Sequence, residues 1–87
     1  MVIKFTGRFA KQYNKVPSKI KASFEKRLEI FIQNKFHPIL NNHALIGKYK
    51  GCRSINVTGD WRAIFREFKG GELIYFDIIG THSQLYK

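Results

Sequence analysis

The chain has 87 residues, 44% of them hydrophobic and eight of them Phe, enough apolar material for one domain over residues 1–87 and too much for a disordered chain. Sixteen Lys and Arg against six Asp and Glu leave a formal charge of +10, a field that collects polyanions and ranks nucleic acid first among partners, an anionic membrane surface second and an acidic protein third. The single cysteine, Cys52, excludes an intramolecular disulfide and reads as a small hydrophobe in a reducing, cytoplasmic setting; no apolar run approaches the ~20 residues of a membrane helix, and the apolar start is too short for a signal peptide.

In chain order, Val2 to Thr6 alternates as a short strand that Gly7 ends, and Arg8 to Asn14 makes two helical turns. Pro17-Ser18 predicts a helix entry with Ser18 as N-cap. From Lys19 to Asn34, Ile20, Phe24, Leu28, Phe31 and Ile32 recur at steps of three and four, which marks one buried face of an amphipathic helix. Pro38 disfavours helical geometry at His37 and closes the helix. Residues 38–52 read as a connector, with Asn41-Asn42-His43 and then two glycines around Lys48, Tyr49 and Lys50. Three strands follow: Arg53 to Thr58, Trp61 to Phe68 and Leu73 to Ile79, joined by a tight turn at Gly59-Asp60 and a second at Lys69-Gly70-Gly71. Strand, helical hairpin and three-stranded meander together predict an α+β domain. Its helices pack on one face of a mostly antiparallel sheet, and the other face is left free for function.

Strict alternation in the strand after Asp60 puts Arg62, Ile64, Arg66 and Phe68 on one face and Trp61, Ala63, Phe65 and Glu67 on the other. Two guanidiniums on the free face can grip phosphates in bidentate fashion, with Arg53, Lys48 and Lys50 as neighbours. The tail, Gly80 to Lys87, brings His82 and Tyr86 to the end of that face. A ribonuclease that works without metal needs a base for the ribose 2′-OH, cations for the charge on the phosphoryl oxygens and an acid for the leaving 5′-oxygen. An imidazole, with a reference pKa of about 6.5, can serve as either acid or base. Arginine would stabilise the phosphorane, an aromatic would hold a splayed base, and Asp60 would orient the imidazole or act as base. His37, His43, Asp60 and His82 lack zinc-type spacing, so no metal and no cofactor is expected; a Gly-rich phosphate loop and a serine elbow are also missing.

The run Leu45-Ile-Gly-Lys-Tyr-Lys-Gly-Cys-Arg-Ser-Ile-Asn-Val-Thr-Gly-Asp-Trp-Arg-Ala-Ile-Phe65, followed by Ile79-Gly-Thr-His-Ser-Gln-Leu-Tyr86, resembles the RelE/ParE superfamily of bacterial toxins, and within it the YafQ-type RelE toxins. The resemblance implies a RelE-like fold and a ribosome-dependent, metal-independent endoribonuclease that cuts mRNA in the A site by 2′-OH attack. It also implies contact with 16S rRNA, a cognate antitoxin, and operator DNA reached only through the antitoxin complex. The basic charge and the helical hairpin predict an acidic, partly disordered antitoxin segment. Carried over by motif, His82 falls on the catalytic histidine, Tyr86 on the terminal aromatic, Asp60 and Trp61 on the Asp-Trp pair and His43 on the histidine before Leu-x-Gly. Arg62 falls on the arginine that meets the scissile phosphate. Asn56 and Ile78 depart from the pattern, standing where YafQ-type proteins tend to carry histidine and arginine, so phosphate binding falls to Arg62 or Arg66. Two other classes remain open: a ParE-like inhibitor of DNA gyrase, and a basic RNA-binding domain without catalysis.

Overall fold

The computed structural model describes residues 1–86. Strand β1 (Val2–Phe5) leads into helices α1 (Gly7–Asn14) and α2 (Ser18–Gln33). The short strand β2 (His43–Ala44), β3 (Arg53–Asn56), β4 (Trp61–Phe68), β5 (Leu73–Thr81) and the four-residue helix α3 (His82–Leu85) follow. The sheet order is β1-β5-β4-β3-β2, with β1 parallel to β5 and every other pair antiparallel. The α+β class and the succession of strand, hairpin and meander are as expected. Among the described residues, no helix is long and apolar enough to cross a membrane.

One core lies between helices and sheet. Phe9, Phe24 and Phe31 descend from α1 and α2 onto Phe65 and Phe76, with ring centroids 5.2–6.0 Å apart and mostly tilted or edge-on, the geometry that ring quadrupoles favour. Ile32, expected on this stripe, is exposed.

Four local expectations need correction. Helix α2 is entered through Pro17, with Ser18 already in its first turn and without a side-chain cap. The side-chain cap belongs instead to α1, where Thr6 Oγ1 accepts from the Phe9 amide at 3.1 Å. Residues 38–52 contain two 3-10 turns (Pro38–Leu40 and Gly47–Tyr49) and β2, which widens the sheet to five strands. The β3–β4 connection is a four-residue loop over 57–60, in which Thr58 Oγ1 accepts from the amides of Asp60 and Trp61.

The fourth correction concerns the face away from the helices, which is not bare. Cys52, Ile64, Ile78 and Leu85 form a second buried cluster there, roofed by Leu45, Tyr49 and Tyr86. A bulge makes this possible. Ile64 pairs with Ile78 but Phe65 pairs with Phe76, so Asp77 has no partner residue on β4. Unbroken alternation would put Ile78 beside Phe76 under the helices; the extra residue sends it to the opposite face. Asp77 itself accepts from Thr6 Oγ1 at 2.8 Å and pairs with Arg8.

The hydrogen bonds from Arg8, joined by that from Thr6, hold the Asp77 carboxyl below its usual range against the opposing effect of burial. A lowered folded-state value means that this contribution is present above the unfolded value and lost as pH falls through the folded one. The Asp77→Asn variant should therefore melt at a lower temperature than wild type at neutral pH, and the difference should close below about pH 4. Thermal melts across that range check it; a difference independent of pH would contradict it.

Candidate active site

Antiparallel partners directly opposite each other share a face of the sheet. His43 lies opposite Ser54, Ser54 opposite Ile64, and Ile64 opposite Ile78; one pair further along, Asn56 faces Arg62 and Arg62 faces Gly80. The register thus carries His43 from the sheet edge and Arg62 from its middle to the same face. His82 joins them from α3 at the end of β5.

Four residues cannot hold a helix by propagation alone, and α3 depends on its cap. Thr81 Oγ1 accepts from the Gln84 amide at 3.2 Å, and Gln84 Oε1 accepts from the Thr81 amide at 2.8 Å, a reciprocal capping box. Gly80 lets this turn fold tightly back, since a Cβ there would stand 3.1 Å from Gln84 Oε1 and 3.3 Å from Leu85. The His82 amide donates to the Asp60 carbonyl at 2.8 Å, tying α3 to the β3–β4 loop. The His82 ring then lies 4.8 Å from that of Tyr86, whose other neighbour is the edge of Tyr49 at 5.9 Å.

The same loop holds Arg62. Its Nη1 donates to the carbonyls of Thr58 (3.0 Å), Gly59 (3.1 Å) and Trp61 (3.1 Å), which fixes the guanidinium and leaves its other N–H groups without a partner among the described residues. At the opposite wall, His43 Nδ1 lies 2.7 Å from the Asn41 carbonyl. A carbonyl only accepts, so Nδ1 carries the proton and Nε2 of the neutral ring presents its lone pair. Asn41 adopts a left-handed backbone (φ 47°), which asparagine tolerates better than most residues. His43, Arg62, His82 and Tyr86, with Asn41 and Leu45, line one concavity of about 350 Å³.

The other residues singled out from sequence lie elsewhere. Asp60 is exposed, and it reaches His82 through its backbone carbonyl. Trp61 packs against the helix-side core. Arg66 is exposed further along the Arg62 face, near Gly51 and Asp77. Arg53 lies opposite Phe65 on the helix side, where its Nε donates to Asn42 and its guanidinium covers the Phe36 ring at 5.6 Å. Lys48 stands over the Tyr49 ring at 5.1 Å, and Lys50 is exposed just after that turn. Of the two departures, Ile78 is buried in the second cluster and Asn56 has its Oδ1 buried without a partner. Sequence reasoning missed Asn41, Leu45 and Thr58. Asn41 carried a signal in the Asn-Asn step before His43 and Leu45 in the Leu-x-Gly motif, while Thr58 carried none. Among the described residues, no three His, Cys, Asp or Glu side chains gather as a metal site would require.

A helical hairpin on a five-stranded sheet is a fold shared with RelE-like toxins. YafQ from E. coli strain BL21(DE3) superposes with a TM-score of 0.81 at 22% identity, over 98% of this chain and 97% of that one. The YoeB/ParE toxin from Agrobacterium tumefaciens gives 0.76 at 15% identity, over 94% and 99%. The E. coli DinJ–YafQ complex supplies a chain that is 26% identical, with a TM-score of 0.65 over 98% and 97%. No curated protein matches the sequence. Residues 1–87 match the family described as the bacterial toxin of type II toxin–antitoxin systems, YafQ, and the chain belongs to that family.

Because Thr58 Oγ1 shapes the loop that holds both Arg62 and His82, Thr58→Val should loosen both while Thr58→Ser retains them. Solvent exchange at the Arg62 Nη1 protons and the His82 amide should rise about five- to tenfold in the valine variant, the loss of roughly one hydrogen bond. Equal exchange in all three proteins would refute the dependence.

Proposed function

We propose that this YafQ-family toxin is a ribosome-dependent endoribonuclease that cuts mRNA in the A site without metal. The observation that carries the reading is the meeting of two imidazoles, one guanidinium and a phenol around a single concavity. The ribose 2′-oxygen attacks the adjacent phosphorus, forming an O2′–P bond while the P–O5′ bond breaks. His43, with its Nε2 lone pair free, takes the 2′-OH proton, and His82 donates a proton to the departing O5′. Arg62, already fixed by three carbonyls, meets the charge on the non-bridging oxygens without reorganising. Tyr86 packs on the His82 ring and limits its orientation. Asp60 orients His82 through its carbonyl, and the exposed Arg66, Lys48 and Lys50 meet messenger and 16S ribosomal RNA, while Trp61 and Arg53, turned to the helix side, give the RNA contacts expected of them only at the sheet's edge.

The +10 charge supports the same reading, because neutralising phosphates is what brings such a domain to a ribosome. It equally suits a cognate antitoxin with an acidic, partly disordered segment. The solved DinJ–YafQ complex is a toxin–antitoxin pair of this family. Operator DNA is then reached only through the antitoxin complex.

Cleavage of a defined mRNA on programmed ribosomes tests the proposal. Wild type should cut within the A-site codon with or without EDTA, and His82→Ala should cut about 10²-fold more slowly or worse. An inert wild type would sink the nuclease reading. Undiminished cutting by the variant would remove His82 from its centre.

A further inference from the structure

Helix α3 lines two cavities. His82 and Tyr86 face the candidate active site, while Gln84 closes a second cavity of about 450 Å³ together with Arg8, Gln12, Lys15, Tyr49 and Trp61. The polar groups of this second cavity are unusual in having one character. Gln12 Oε1 accepts from the Ile79 amide at 2.9 Å, and Gln84 Oε1 accepts from the Thr81 amide at 2.8 Å. A backbone N–H can only donate, so both side chains must present their oxygens to the strand. Both carboxamide NH₂ groups are left without an acceptor among the described residues. Lys15 has no ion pair among them either, and no carboxylate lines the cavity; Arg8 is held by Asp77.

A cavity that offers several side-chain donors and no carboxylate, beside an indole and a phenol, is complementary to a ligand rich in acceptors with a flat apolar part. Its volume falls within the range of small-molecule sites and exceeds what a phosphate fills. We propose that this cavity is a second nucleotide subsite. A uracil or other keto base lies against Trp61 with its carbonyl oxygens on the Gln12 and Gln84 NH₂ groups, and its phosphate lies towards Lys15. With α3 as the ridge between the two cavities, an RNA strand that places one phosphate at Arg62 can set a neighbouring nucleotide here. The choice of RNA rests on the nuclease reading; the donor set does not.

The engaged oxygens give a clean substitution. Gln12→Glu and Gln84→Glu each keep an acceptor for the same backbone amide, and Glu satisfies the capping box as well as Gln does, but each replaces the exposed donor by an acceptor. The test is titration of the ¹⁵N-labelled full chain with 5′-UMP, with ribose 5-phosphate as the control that lacks a base. The expected result is saturable movement of the Trp61 indole and both glutamine NH₂ signals with 5′-UMP only, weakened about tenfold or more in either Glu variant at unchanged melting temperature. His82→Ala should bind 5′-UMP as wild type does, so loss of the nuclease reading would leave this result standing. Equal movement with ribose 5-phosphate, undiminished binding in folded Glu variants, or no saturation by about 10 mM would each overturn the subsite.

Discussion

The loop between β3 and β4 is the constraint on which the site depends. Its carbonyls take the guanidinium of Arg62, and one of them, that of Asp60, takes the amide of His82. Two groups twenty residues apart in sequence are thereby referred to one short piece of backbone. That backbone is itself closed by Thr58 Oγ1 and by the bond from the Val57 amide to the Trp61 carbonyl, 2.8 Å. A site fixed in this way can be exposed without being loose. His82 is open to solvent, yet its main chain is bonded to the loop and its ring is packed on Tyr86.

The sheet separates two tasks. Its helix side holds the aromatic core, while its other side carries a small cluster built on Ile64 and Ile78, over which the 45–49 segment and the terminal turn close. That second cluster positions both walls of the concavity: Leu45 follows β2 and its His43, and Leu85 belongs to α3 with its His82. The bulge at Asp77 makes it possible by turning Ile78 towards this side. Ile78 therefore serves as packing, and Arg62 is the cation that lines the concavity.

Much of this was legible in the sequence, for physical reasons. The period of Phe24, Leu28 and Phe31 and the alternation of Ala63 and Phe65 are direct consequences of burial, and both run as read. The motif residues Asp60, Trp61 and His82 come together at one end of the sheet, where Trp61 pairs with Thr81 and the Asp60 carbonyl takes the His82 amide. Strict alternation did not foresee the bulge, although the one charged residue in the run from Ile74 to Ile79, Asp77, stands at the extra position. It also overreached at Arg53, whose position beside the Arg62 strand is real but whose register turns it towards Phe36. Thr58 was invisible for another reason. Its contribution lies in a side-chain bond to local amides, and a threonine next to a glycine is too common to announce one.

The claim at the centre of this account is that the ribose 2′-oxygen is the nucleophile and that His43, Arg62 and His82 serve its attack. The most direct measurement is the chemistry of the cut ends, taken from ribosome-bound mRNA with and without a single 2′-deoxy substitution at the scissile nucleotide. The account predicts a 2′,3′-cyclic phosphate and a 5′-hydroxyl from the all-ribose message and no cut at the deoxy position. A 5′-phosphate end, or cleavage that ignores the missing 2′-OH, would contradict it.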